Sequence, residues 1–223
     1  MPDATPFGDV SPETSALLGG VCVRRRFARG ETLYDQGCPA HELMMIETGR
    51  VKVTRLTEAG DAHTLIVVGA GEVIGSIAVV QDKPHRISAV AATAVTALGW
   101  NARVVRQALV QDRAISAQFL QFVSRRSDEL IELLDETVSL SVEERLARAL
   151  LRLAGKFGRH TEELSIAVAV GQADLAEMVR TTVPTISRII TRWRHDQIVG
   201  GRRGEVVIRD IARLAERGRL VLD

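Results

Sequence analysis

The sequence is poor in cysteine and nearly balanced in charge. Its two cysteines, Cys22 and Cys38, have neither the paired spacing of zinc ligands nor the density of a secreted disulfide framework, and a reducing cytosol suits them best. No apolar run approaches the ~18 residues that a membrane span requires. Met1, Pro2 and Asp3 open onto no basic segment followed by an apolar stretch, so an unexported, cytoplasmic protein with no membrane partner is expected. No nucleophile lies beside a base, no ligand cluster has metal spacing and no phosphate loop is present, so neither a catalytic nor a metal site is expected. Gly69, Ala70 and Gly71 resemble a nucleotide-binding fragment only superficially, because no helix is expected after them. The formal net charge is +1, which confines any nucleic-acid footprint to a local patch.

Such a patch exists. Between Arg180 and Arg203 lie Arg180, Arg188, Arg192, Arg194, Arg202 and Arg203 against one acid, Asp196, whereas Asp128 to Glu136 is mainly acidic. At 223 residues the chain is long enough for two small domains with real cores.

From Val21 to Trp100 short β-type runs alternate with glycine: 21–28, 32–35, 43–47, 51–56, 64–68, 87–91 and 95–98. Strands this short and regular suggest a barrel or roll. From Arg103 to Leu140 there is neither glycine nor proline, which predicts one or two long helices. An apolar stripe there, with Ile115, Phe119, Phe122, Val123, Leu130 and Leu134 as its contact residues, predicts pairing with a second copy. Ser141 and Glu144 form a capping box that starts a new helix, which runs to a stop near Gly155 and Gly158.

Asp174 to Val179 reads as a short helix, Arg180 to Thr182 as a tight turn and Val183 to His195 as a second helix. Thr182 suits an N-cap, and Pro184 is tolerated in the first turn. Ile186, Ile189, Ile190 and Trp193 share one face, which leaves Pro184, Thr185, Ser187, Arg188 and Arg192 outward. A hairpin with a basic tip at Arg202 and Arg203 follows, as a wing would. The expected contacts to double-stranded DNA are therefore Thr182, Val183, Pro184, Thr185, Ser187, Arg188, Arg192, Arg202 and Arg203. Arg188 would read a guanine edge, while Thr182 and Arg192 would meet phosphates. The bland alternative is an arginine-coated solvated face. A regulatory module acting on a partner protein is the rival function, and the basic wing argues against it.

The order of segments resembles the cyclic-AMP receptor protein/FNR family. The likeness rests on Phe27 to Gly37, on Gly49 to Val53 and on Thr185, Ile186, Ser187 and Arg188. It implies an α+β protein with a β-roll sensor domain (1–102), a helical dimerisation segment and hinge (103–139) and a C-terminal winged helix-turn-helix (140–223). It also implies a homodimer on inverted half-sites and contact with RNA polymerase. The family's effector pocket maps onto Gly75, Ser76, Ile77, Arg86, Ile87, Ser88, Leu130 and Ile131. The arginine type that pairs with a cyclic phosphate is kept in Arg86. Ser76 replaces the ribose-binding carboxylate, Ile87 replaces a small hydroxyl, and Leu130 and Ile131 replace groups that would bond adenine. Cyclic AMP is therefore not the expected effector. Two cysteines cannot hold the four-cysteine iron–sulfur cluster of the oxygen-sensing branch. A haem remains open through Pro2 and His41, His63 or His85, although a lone histidine is more often a surface or packing residue. Pro184 replaces the glutamate of that branch, so the base facing it would be read by apolar contact or not at all.

Overall fold

The computed structural model describes residues 20–57, 62–161 and 165–220. Met1 to Asp3 lie outside them. The N-terminal unit is built from β1 (Val23–Phe27), β2 (Thr32–Tyr34), β3 (Glu42–Thr48), β4 (Val51–Leu56), β5 (Ala62–Val68), β6 (Val73–Ile74), β7 (Ser88–Ala91) and β8 (Val95–Asn101). These make two antiparallel four-stranded sheets, ordered β1-β8-β3-β6 and β2-β7-β4-β5. The period-two alternation of strands decides where each sheet faces. Met44 and Ile46 of β3 enter the space between the sheets, where they join Val51, Val53, Ala89 and Ala97. Leu43 and Met45 point the other way, onto helices α1 (Ser76–Gln81), α2 (Ala102–Gln111) and the start of α3 (Arg113–Ser139), with Val79, Val105 and Ile115. The β3–β4 turn demands glycine: Gly49 has φ +89, and a Cβ there would collide with the Ala94 carbonyl oxygen.

β6 and α1 were not expected from the sequence, and α1 shows that a short helix does follow Gly69, Ala70 and Gly71. Two helices fill 102–139. Asp112 separates them with an extended backbone, and its carboxylate accepts the amides of Ala114 (2.8 Å) and Ile115 (3.3 Å), which starts α3 as an N-cap does. The boundary between the two compact units falls inside α3, between Glu129 and Leu130. The segment 103–139 is thus shared between them and does not stand as a body of its own.

The apolar stripe of α3 needs correcting. Ile115 is fully buried in the core of its own unit, and Phe119 and Phe122 pack against that core. Arg126 lies over the Phe122 ring and pairs with Glu72 at 3.3 Å. Val123 is half-buried. The exposed apolar residues are Leu120 (69%), Leu130 (42%), Ile131 (65%), Leu134 (64%) and Val138 (79%). At 3.6 residues per turn Leu120, Ile131, Leu134 and Val138 fall on one narrow face, with Ser124 and Ser127 between them. The first half of the predicted stripe is intramolecular core; of its second half Leu130 and Leu134 are exposed, and Leu134 lies on the outward seam.

The C-terminal unit continues with α4 (Val142–Phe157), β9 (Arg159–His160), β10 (Ile166–Val168), α5 (Gln172–Met178), α6 (Val183–His195), β11 (Val199–Gly200), β12 (Val206–Ile208) and α7 (Ile211–Arg217). The capping box at Ser141 is formed in both directions: the serine hydroxyl accepts the Glu144 amide at 3.3 Å and the Glu144 carboxylate accepts the Ser141 amide at 2.7 Å. These bonds hold the Glu144 carboxyl below its ordinary pKa. Leu146, Leu150, Leu175, Ile186, Ile190 and Trp193 form the core. The end of α3 is tied to α4 by Glu136, a buried carboxylate that meets Arg152 at 2.5 Å and Arg148 at 3.7 Å. Arg145 donates to the Leu140 carbonyl (2.5 Å) and, through Nε and Nη2, to the Val179 carbonyl, satisfying orphan acceptors at the ends of two helices. No helix among the described residues is long and apolar enough to cross a membrane.

Candidate nucleic-acid interface

Helix α6 and the turn before it carry the expected contact residues from Thr182 to Arg192. Leu175 and Val179 face the core, as do Ile186, Ile189, Ile190 and Trp193. The opposite side of α6 presents Ser187, Arg188, Thr191, Arg192 and His195 along a shallow groove. At its N-terminal end Thr182, Val183 and Pro184 are exposed and Thr185 is half-buried. Thr182 occupies the N-cap position with an extended backbone, but its hydroxyl lies 3.0 Å from that of Thr185 and caps no amide. The N-terminus of α6 is therefore not closed by its N-cap side chain, and Pro184 removes one of the amides that would otherwise need a partner.

The two arginines of this face differ. Arg188 is exposed, and Thr185 Oγ1 at 3.5 Å is a marginal acceptor for it. Arg192, expected to be available to phosphates, is instead ion-paired with Glu143 of α4, whose second oxygen accepts the Trp193 indole N–H at 2.9 Å. Sequence spacing could not show this pair, because its members are 49 residues apart.

The wing is a small antiparallel sheet ordered β11-β12-β10-β9. Arg202 and Arg203 sit exposed at the β11–β12 tip, and Arg202 lies 3.7 Å from Glu205. Gly201 is obligatory there: φ is +102, and a Cβ would come within 2.6 Å of the Glu205 carbonyl oxygen. Arg194 of α6 donates to the Gly201 carbonyl at 3.3 Å, linking α6 to the β11–β12 hairpin.

In the N-terminal unit, Gly75 (φ +81) precedes α1, Ser76 is buried, and Ile77 and Arg86 are exposed. Ile87 packs on the roll core, and the buried Ser88 hydroxyl accepts the Gln36 amide at 2.9 Å. Leu130 and Ile131 belong to the C-terminal unit and are solvent-exposed. An aromatic pair beside Gly75 left no signal in the sequence. Tyr34 stacks on His85 with ring centroids 3.8 Å apart, beside Gly75. Burial raises the Tyr34 phenol to about 12 against the smaller opposing effect of the Gly75 backbone. Burial, and then the neighbouring His41, lower the pKa of His85. Of the three histidines considered as haem ligands, His85 is thus buried in a stack while His41 and His63 are exposed. Among the described residues no group of three or more His, Cys, Asp or Glu could hold a metal.

Residues 24–112 match the cyclic nucleotide-binding domain family and residues 144–217 the Crp-like helix-turn-helix domain family. The chain is 28% identical over 216 residues to a CRP-like cAMP-activated global transcriptional regulator of Mycobacterium tuberculosis, covering 96% of each. Its fold matches that of a CRP-family transcriptional regulator from Thermus thermophilus with a TM-score of 0.77 (24% identity; 89% of this chain, 98% of that one). It matches FixK2 from Bradyrhizobium japonicum at 0.79 (18% identity; 91% and 99%). A nucleotide-binding-type roll followed by a winged helix, in the order and length of relatives that regulate transcription, settles the kinship: the chain belongs to the cyclic-AMP receptor protein/FNR family and is a DNA-binding transcription regulator, not an enzyme.

Proposed function

We propose that this regulator works in the cytoplasm as a homodimer on inverted DNA half-sites, reads each with α6 and does not answer to cyclic AMP. The observation that carries the reading is α6 itself: its apolar face is buried while Pro184, Ser187 and Arg188 point outward beside a basic wing. Laid in the major groove, Arg188 can donate two bonds to guanine O6 and N7. Val183 and Pro184 offer apolar contact to a thymine methyl. Thr182, Thr185, Arg202 and Arg203 suit phosphates, where they fix register without reading sequence. The exposed seam of α3, from Leu120 to Val138, supports pairing with a second copy, since Ser124 and Ser127 let two backbones approach.

Against cyclic AMP stand Ser76, in place of the ribose-binding carboxylate, and Ile87, in place of a small hydroxyl. RNA polymerase is the partner that follows for a regulator of this kind. Selection of binding sites from a random duplex library tests the function. The expected product is an inverted repeat with half-site centres about one helical turn apart. A pool that enriches no motif would overturn it.

A further inference from the structure

The two outward arginines of α6 stand four residues apart, and their surroundings assign them different work. Among the described residues, Arg188 has only the hydroxyl of Thr185 at 3.5 Å. Arg192 is held by the half-buried carboxylate of Glu143, the second residue of α4. The other oxygen of that carboxylate takes the Trp193 indole N–H at 2.9 Å, which fixes the direction in which the carboxylate points. Arg217 of α7 adds a second cation 3.7 Å from that same oxygen, and itself reaches Asp196 at 3.4 Å. Arg192 still lies at the margin of the groove that Ser187 and Arg188 line.

We propose that Glu143 is a positioning residue that limits sequence-independent binding: its carboxylate holds the Arg192 guanidinium back from the DNA backbone and leaves Arg188 as the cation that α6 presents. This rests on α6 being the recognition helix. A phosphate contact strengthens binding to every sequence alike, so it raises the sequence-independent part of the affinity without adding discrimination. For Arg192 to make one, a phosphate must displace a carboxylate already bonded to it, and the released carboxylate then faces a polyanion. Both steps oppose the contact. The Trp193 bond couples the same carboxylate to the helix body, so the clamp also steadies the part of α6 that follows Arg188.

The test uses the full chain and its variants Glu143→Gln, Arg192→Gln and the double substitution, each checked by thermal melting. Binding to a random-sequence duplex is followed by fluorescence anisotropy as salt is raised. Glutamine keeps an oxygen for Trp193 but removes the charge that restrains Arg192. Glu143→Gln should bind random duplex several-fold tighter at low salt, with a log–log salt slope steeper by about 0.9 for each phosphate gained. Arg192→Gln should leave the slope unchanged, and the double variant should return to it. On a selected site Glu143→Gln should gain by the same factor, so the ratio of specific to random affinity should stay as in the wild type.

The clamp is refuted if the gain persists in the Arg192→Gln background, because Glu143 then acts merely by repelling DNA. It is equally refuted by an unchanged slope in Glu143→Gln, or by Arg192→Gln alone lowering the slope, which would mean that Arg192 already touches phosphate. That last measurement decides even if Glu143→Gln fails to fold. Wild-type protein that binds no duplex at all would refute the recognition-helix reading instead, so the two failures are distinct.

Discussion

Arg180 follows α5 with a left-handed backbone, φ +52, in the turn that reverses the chain toward α6. A Cβ makes that conformation costly by roughly 1–2 kcal/mol, and glycine escapes the penalty. Arg180→Gly should therefore stabilise the C-terminal unit by about 1 kcal/mol, somewhat offset by the freedom glycine gains in the unfolded chain. Trp193 lies in that unit and Trp100 in the other, so denaturant titration of a Trp100→Phe background reads the effect without interference. A lower midpoint for the glycine variant would show that the arginine side chain stabilises the turn by more than its backbone strains it.

His85 gives a second residue-scale expectation. Its pKa is lowered by burial against Tyr34, from an ordinary value of 6.5, so the unfolded chain binds its proton more readily than the folded one. Stability from this group is present above that value and is lost as pH falls below it. The N-terminal unit, followed by Trp100, should melt at lower temperature as pH is taken below 6.5, and His85→Phe, which keeps an aromatic on Tyr34, should flatten that dependence. An equal acid-side decline in the variant would remove His85 as its source.

Among the elements, α3 carries the clearest test. A glutamate at Leu134 or Ile131 would put a charge into the exposed seam and cost a paired helix several kcal/mol, while disturbing little of either unit's own core. Sedimentation should show dissociation to monomers at concentrations where the wild type is dimeric. An unchanged sedimentation coefficient would move the interface elsewhere. A charge at Ile115 should act differently, by unfolding the N-terminal unit, because that residue is core. The same helix marks how far the sequence could be read. Periodicity identified the stripe but could not say which protein surface covers it, because Ile115 and Leu134 look alike as apolar residues in a helix. Strands with alternating residues between glycines were legible, as were the Ser141 capping box and the two helices around Arg180. β6, with two residues, is too short to show a period, and α1, with six, lacks a side-chain cap. Contacts between residues far apart in the chain, such as Glu143 with Arg192 and Tyr34 with His85, leave no local signal at all.

For the whole molecule, effector and operator are the two inputs. Cyclic AMP should neither bind in the micromolar range nor tighten operator binding, since Ser76 stands in place of the ribose-binding carboxylate and Ile87 in place of a small hydroxyl. Titration calorimetry combined with a DNA-binding assay checks this, and micromolar binding with improved operator affinity would contradict it. The central claim is that α6 reads DNA through Arg188, twice per dimer and in inverted register. The most direct measurement is a binding-site selection run in parallel on the wild type and on Arg188→Ala. The account predicts a loss of ~1–3 kcal/mol on the wild-type site and a flattened preference at one base pair in each half-site, with the rest of the motif retained. A mutant pool that returned the wild-type motif with undiminished preference at every position would contradict it.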